Sequence, residues 1–288
     1  MVKICVTVDT EGDAAENPYS TFFGIKYMLP IFINLFKKYK IKATFFVQED
    51  GICDVASRFE QQLKEIEEQG HEIGYHAHGL IGSSDEKISN VISKGLQRMK
   101  DLNFTPVSFR AGRFHYRSSM TRMLEEQGIL FESSVCPGLR EVFSNGQERC
   151  NHIGCPVNPY KISYNDYRIS GNSSIIEIPV NMHSNDNPVG LKGGHNNDEV
   201  LFDFFSNIRK DSIVIIVLHS WSGLNPLLLK FIRKEAYGSL RKLNYSLFSK
   251  LLHGSNSLFE KKFLRNFENL LLYIKSQPNH EFITIKDS

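Results

Sequence analysis

The sequence predicts an α/β fold on a parallel sheet, either closed into a barrel or doubly wound. Short β-branched or aromatic runs alternate with longer stretches of helical periodicity through most of the 288 residues. Strands spaced by helices in this rhythm are joined by crossovers and lie parallel. Hydrophobic residues make up 41% of the chain and charged residues 23%, a balance that supports one large core and argues against disorder. No internal repeat or low-complexity linker breaks the pattern, so residues 1–288 read as a single domain.

The elements follow in order. Residues 4–8 form a buried-strand candidate that leads straight into Asp9. A helical stretch carrying Tyr27, Leu29, Ile31, Ile33, Leu35 and Phe36 ends in Lys37, Lys38 and Lys40, cations that suit the negative end of a helix dipole. Ala-Thr-Phe-Phe-Val at 43–47 is the second strand, and 57–69 is a helix closed by Gly70. A short strand over 72–75 precedes a polar loop, and Ser-Ser-Asp-Glu at 83–86 opens a helix running to about Leu102. Further strands are expected at 107–110, 130–134, 175–180, 213–219 and 282–285, with helices at 118–127 and 199–210. The Asn-, Gly- and His-rich stretch 181–198 reads as one long loop beside a functional mouth.

The C-terminal part differs in charge. Residues 224–275 hold ten Lys or Arg against three acids, with Leu, Phe and Tyr interleaved, while the whole chain is only +2. Amphipathic helices with a solvated basic face account for this pattern; the sharper expectation is a surface resting on anionic lipid or holding a lipid-linked substrate. The near-neutral total and the lack of a helix-turn-helix, zinc-finger or RNA-binding pattern exclude a dedicated nucleic-acid binder. No stretch approaches the roughly 20 apolar residues of a membrane span. The chain opens directly into a strand-like run rather than a signal peptide, and its five cysteines are odd in number and scattered. The expected location is the cytoplasm, with contact to the inner membrane face through 224–275.

Polar residues cluster at the C-terminal ends of separate strand candidates, where α/β folds assemble their sites. These are Asp9-Thr10-Glu11-Gly12-Asp13, His76-Ala77-His78, Arg110-Ala111-Gly112-Arg113 and His219-Ser220-Trp221. His76 and His78 are two apart, so an extended backbone directs both imidazoles to the same side. Two histidines and a carboxylate from Glu11 or Asp9 make a three-ligand site for a divalent metal with open positions for water and substrate. Such donors suit zinc, and other first-row metals as well. Taken singly, each feature has a plainer reading: 9–13 as a helix-capping loop, Arg110 as a buried arginine paired with an acid, His219 as a hydrogen-bonded strand-end histidine. Cys150, His152 and Cys155 fit no standard zinc spacing and lack a fourth ligand. His71, ahead of its strand, reads as structural.

With these stretches in hand, the chain resembles the polysaccharide deacetylases, the nodulation-deacetylase homology group. The resemblance rests on Val6-Thr-Val-Asp9-Thr-Glu11-Gly12, Lys42-Ala-Thr-Phe-Phe-Val47, Gly70-His-Glu-Ile-Gly-Tyr-His76-Ala-His78, Phe109-Arg110-Ala-Gly-Arg113-Phe114, Gly128-Ile-Leu-Phe-Glu-Ser-Ser134 and Val217-Leu-His219-Ser220. It implies a distorted (β/α) barrel of about seven parallel strands that hydrolyses an N- or O-acetyl group on a sugar, using a divalent metal such as Zn2+; the expected cytoplasmic placement favours a nucleotide- or lipid-linked precursor as that sugar. By the same resemblance Asp9 is the general base, Glu11, His76 and His78 the metal ligands, Arg110 the group holding the base, and His219 the general acid. Two positions depart from the commoner pattern: Thr10 stands where many members carry a second Asp, and Leu80 where many place the second histidine. Glu11 and His78 must then supply those ligands. The alternatives are a carbohydrate-binding protein that keeps the barrel without catalysis, and an amide hydrolase acting on a small non-sugar substrate.

Overall fold

The computed structural model describes residues 1–184, 187–188, 204–205, 207–226, 228–230 and 259–288. Its centre is a nine-stranded sheet. The strands that build the site are β1 (Val2–Thr10), β2 (Ala43–Gln48), β3 (Glu72–Ala77) and β4 (Ser108–Ala111), which pair in that order and parallel. β5 (Phe131–Glu132) extends the sheet on one side. An antiparallel hairpin of β6 (Arg140–Val142) and β7 (Glu148–Asn151) stands apart from the sheet. Beyond it, β8 (Tyr160–Lys161) runs antiparallel to β9 (Ile176–Glu177), which pairs parallel with β5. A small separate pair is formed by β10 (Met182–Ser184) and β11 (Asn187–Pro188). β12 (Ile213–His219) lies parallel to β1 on its other side, and β13 (His280–Phe282) pairs with the start of β1. From β12 through β9 seven strands run parallel, as the resemblance implied.

Side-chain alternation divides each strand into two faces. Val2, Ile4, Val6 and Val8 of β1, Phe45 and Val47 of β2, Tyr75 of β3, Phe109 of β4 and Ile216 and Leu218 of β12 all belong to one large apolar core. That core includes α1 (Leu29–Tyr39), α4 (Asp85–Asp101) and α6 (Lys261–Ser276), which present Phe32 and Phe36, Ile92 and Leu96, and Phe263 and Phe267 to it. The other face is largely polar although equally buried: Thr7 and Asp9, Thr44 and Gln48, Glu72 and His76, Ser108 and Arg110. A flat sheet would hold β1 and β4 about 14 Å apart. Yet Arg110 Nη1 lies 2.8 Å from both Thr7 Oγ1 and Asp9 Oδ1, so the sheet curls around this polar face into a half-barrel. The chain's last turn closes the end opposite the site: Ile285 N–H donates to Thr44 Oγ1 (2.9 Å) and Lys286 N–H to Glu72 Oε2 (3.1 Å).

Several expected elements shift. The helix expected over 57–69 is two, α2 (Val55–Arg58) and α3 (Glu60–Glu68), because Phe59 leaves helical geometry (φ −127°, ψ 27°) and packs on Phe22 at 5.5 Å. The helix at 118–127 is α5 (Ser119–Glu126). The strand expected over 282–285 ends at Phe282, where Thr284 Oγ1 donates to Asp287 Oδ2 and starts a turn. The hairpin β6–β7 and strand β8 add to the elements that the sequence predicts. Of the helix expected at 199–210, residues 199–203 and 206 lie outside the described residues, as does most of the 181–198 loop. Of the basic stretch 224–275, residues 227 and 231–258 also lie outside them. Its described end is α6, whose Lys261, Lys262 and Arg265 face solvent while its phenylalanines meet Phe32 at 5.7–6.3 Å.

Candidate metal centre and catalytic rim

Strand register gathers the candidate residues. Asp9 pairs with His219 across β1 and β12, Gln48 with His76 across β2 and β3, and His76 with Arg110 across β3 and β4. All lie at the C-terminal ends of their strands and on or at the edge of the polar inner face, which places them on one rim.

Glu11, His76 and His78 meet there, all buried. Glu11 Oε2 lies 2.7 Å from His78 Nε2 and 3.2 Å from His76 Nε2, and the two Nε2 atoms are 3.1 Å apart. Ligands on a tetrahedral zinc ion at 2.0–2.1 Å are roughly 3.3 Å from one another, so a triangle of this size fits such an ion. The tautomers fit as well. His76 Nδ1 lies 2.8 Å from the Arg110 carbonyl, which can only accept, so Nδ1 carries a proton, and a cation in the site would be met by the Nε2 lone pair. Among the described residues this is the group of His, Cys, Asp and Glu donors close enough to share an ion. Cys150, His152 and Cys155 form no such group; all five cysteines are buried free thiols, and His152 Nδ1 accepts from the Cys136 N–H.

Beside this trio, Arg110 is fully buried and holds Asp9. Its Nη1 donates to Asp9 Oδ1, its Nε and Nη2 donate to the Ser133 carbonyl (2.8 Å) and hydroxyl (3.0 Å), and its plane lies 4.4 Å from the Phe46 ring centre. Asp9 Oδ2 remains toward the rim, 3.9 Å from His219 Nε2. His219 is 28% exposed at its side chain, the most open of these residues, and its ring stacks on Trp221 at 4.3 Å and 25°. Trp221 Nε1–H also donates to Glu11 Oε1 (3.1 Å), which turns Oε2 to the histidines. Ser220 ties the strand ends together, its hydroxyl donating to the Glu11 carbonyl at 2.8 Å.

Two members of the trio, Glu11 and His78, are strongly displaced from their ordinary values. Burial would raise the Glu11 carboxyl, but the neighbouring His78 and His76 imidazoles hold it well below the usual carboxylate range. Burial would lower His78, and Glu11 outweighs it, pushing the imidazole up to about 10. The hydrogen bond from His78, opposed by partial burial and reinforced by Arg113, takes Glu16 down to about 2. A cluster with this much negative charge facing imidazole nitrogens holds either protons or a cation.

Other candidates fall outside the rim. Asp13 accepts from the Phe23 and Gly24 N–H groups at 2.7 and 2.9 Å, so the capping reading of the 9–13 loop holds for Asp13. His71 sits at the far end of β3, where its Nδ1 accepts from Ala43 N–H and burial draws its pKa down to about 4. Neither Glu16 nor the role of Trp221 toward Glu11 is legible in the sequence. A lone glutamate in a loop and a tryptophan after a strand carry no local signal for contacts that span the chain.

Known proteins share both sequence and fold features with this one. Residues 20–129 match the family model described as polysaccharide deacetylase. A curated relative, the peptidoglycan deacetylase of Helicobacter pylori, is 25% identical over 184 residues, covering 61% of this chain and 60% of its own length. The fold is shared with a structure assigned to the polysaccharide deacetylases from Mycobacterium smegmatis: TM-score 0.62, 13% identity, 98% of this chain and 88% of that one. It is shared also with an allantoinase: TM-score 0.60, 14% identity, 99% of this chain and 88% of that one. The chain resembles the polysaccharide deacetylases, and its half-barrel is their fold.

Proposed function

We propose that this protein is a metal-dependent hydrolase that removes an acetyl group from an N- or O-acetylated sugar. The observation that carries the reading is the meeting of Glu11 Oε2, His76 Nε2 and His78 Nε2 within 2.7–3.2 Å, next to the buried Asp9–Arg110 pair. A divalent cation held by these three residues, with zinc best suited to two imidazoles and a carboxylate, supplies Lewis acidity toward the acyl oxygen and a readily deprotonated water.

The remaining chemistry belongs to the chain. Asp9 accepts the proton of the attacking water through Oδ2, since Oδ1 is committed to Arg110. Arg110 keeps that carboxylate aimed at the rim and is itself fixed by Ser133. His219 delivers a proton to the departing amine or hydroxyl, its ring backed by Trp221 so that Nε2 stays turned to Asp9 and Glu11. Asp9→Asn is the test: turnover on an acetylated sugar should fall by about 10²–10⁴-fold while bound metal is retained. Wild-type turnover in that variant contradicts the assignment.

The acetylated sugar takes one of two forms that an assay separates: peptidoglycan, named for the Helicobacter pylori relative, or a nucleotide- or lipid-linked precursor handled in the cytoplasm. A panel of these sugars set against cyclic amides also tests the small-amide alternative. Zinc-free protein that binds sugar and never takes up metal would support the non-catalytic one.

A further inference from the structure

The two histidines of the trio are held by different means. His76 lies within β3, and its Nδ1–H is bound to a main-chain carbonyl of the neighbouring strand at 2.8 Å. His78 lies one residue past the end of β3, where strand pairing no longer dictates its direction. Separate contacts orient it. Its N–H donates to Asp50 Oδ2 at 2.7 Å. Its ring lies against Gly112, where a Cβ would come within 2.5–2.7 Å of Nδ1, Cγ and Cε1, so any larger residue would push the imidazole away. Its Nδ1 faces Glu16 Oε1 at 3.4 Å.

Glu16 is itself clamped. Arg113 Nε and Nη2 donate to its two oxygens at 3.1 and 3.0 Å, a planar two-point pairing that fixes the carboxylate's orientation. Arg113 reaches it from a left-handed backbone (φ 61°, ψ 17°) followed by a second non-glycine residue of positive φ, Phe114 (56°). Such conformations persist only where surrounding contacts hold them. Here Arg149 Nε donates to the Arg113 carbonyl at 3.3 Å, and His115 N–H donates to the Gly112 carbonyl at 3.2 Å. One turn thus presents the glycine against the His78 ring and the arginine that holds its carboxylate partner.

We infer that Glu16 is the outer carboxylate that fixes His78 as a metal ligand, with Arg113 acting through Glu16. The inference rests on the metal-site reading above. A carboxylate on Nδ1 keeps the proton there, leaves the lone pair on Nε2, and makes the imidazole a stronger donor. It gives a histidine outside the strand the orientation that His76 receives from main chain. Glu16 and Arg113 are positioning residues, and neither is assigned contact with the substrate.

The test is zinc affinity of the full chain, measured by competition with a chromophoric chelator, with thermal unfolding of the metal-free proteins alongside. Glu16→Gln keeps the shape and removes the charge, and should weaken zinc binding by ~10-fold; Glu16→Ala should approach ~100-fold. Arg113→Asn keeps a residue tolerant of left-handed backbone. It should weaken binding less than Glu16→Gln and add nothing in the Glu16→Gln background. The metal-free variants should melt with the wild type. Unchanged zinc affinity in both Glu16 variants overturns the inference alone, as does a loss of affinity matched by an equal loss of metal-free stability. Wild-type protein that takes up no zinc overturns the metal-site reading and this inference with it.

Discussion

Glu11 and Glu177 are both enclosed carboxyls on strand ends of the same sheet, and burial alone would raise the pKa of each. Their surroundings send them in opposite directions. Glu11 faces two imidazoles and an indole N–H, and it is held well below the usual range. Glu177 stands opposite Glu132 in the β5–β9 register, and burial followed by that second carboxyl drives it well above. Burial raises Glu132 as well. Two carboxyls side by side in a dry setting share a proton, because both cannot ionise together. The rim thus favours a charged carboxylate, as the proposed metal site needs, whereas the outer pair favours a shared proton.

The outer pair has a structural task. Ser134 donates its N–H to Glu132 Oε2 (3.0 Å) and its hydroxyl to Glu132 Oε1, while its oxygen accepts from Ala111 N–H at 2.7 Å. Val135 N–H donates to Glu177 Oε1 at 3.1 Å. The chain after β5 is thereby anchored, and with it Ser133, the residue that fixes Arg110. One pair of carboxyls serves the site indirectly by holding its frame, whereas Glu11 serves it by contact.

The contrast can be sharpened on either side. The larger effect is expected at Glu11. Trp221→Phe keeps an aromatic ring for His219 to stack on but removes the N–H that turns Glu11, and zinc affinity should fall by ~10-fold in a chelator competition. Undiminished affinity would mean that Glu11 needs no orienting partner. The smaller effect is expected at Glu177. A carboxyl raised in the folded state costs nothing below its ordinary value near 4.5, and it destabilises the fold progressively as pH rises from there through its folded value. The contribution of Glu177 to stability should therefore decline from mildly acidic to alkaline pH. Glu177→Gln, whose amide donates in place of the shared proton, should match the wild type near pH 5 and exceed it by about 1 kcal/mol near pH 8.5 in urea unfolding. Parallel curves for the two proteins would show that the pair does not hold a proton.

How much of this was legible in the sequence depended on how local each signal was. β1, β2 and β12 are almost wholly buried and carry the mostly apolar runs 4–8, 43–47 and 213–218, and 213–219 is the strand expected. Gly70 stands at φ +82° where a helix stop was expected. The β6–β7 hairpin is partly exposed and only three and four residues per strand, too short for alternation to stand out. At the site, Glu11, His76 and His78 were visible because their spacing lies within single motifs. Glu16 meets His78 across 62 residues, and Trp221 meets Glu11 across 210; no pattern along the chain announces either. The fate of Glu132 was equally hidden, since a glutamate ending a short apolar run gives no sign that a second one lies opposite.

The central claim is that one cation binds between the strand ends. Anomalous diffraction at the zinc edge, on crystals of the full chain grown with zinc, tests it most directly. A single strong peak bonded to Glu11 Oε2, His76 Nε2 and His78 Nε2 is expected, with Glu16 on the far side of the His78 ring. A zinc-loaded crystal with no peak there, or with His78 turned out of the site, would contradict it.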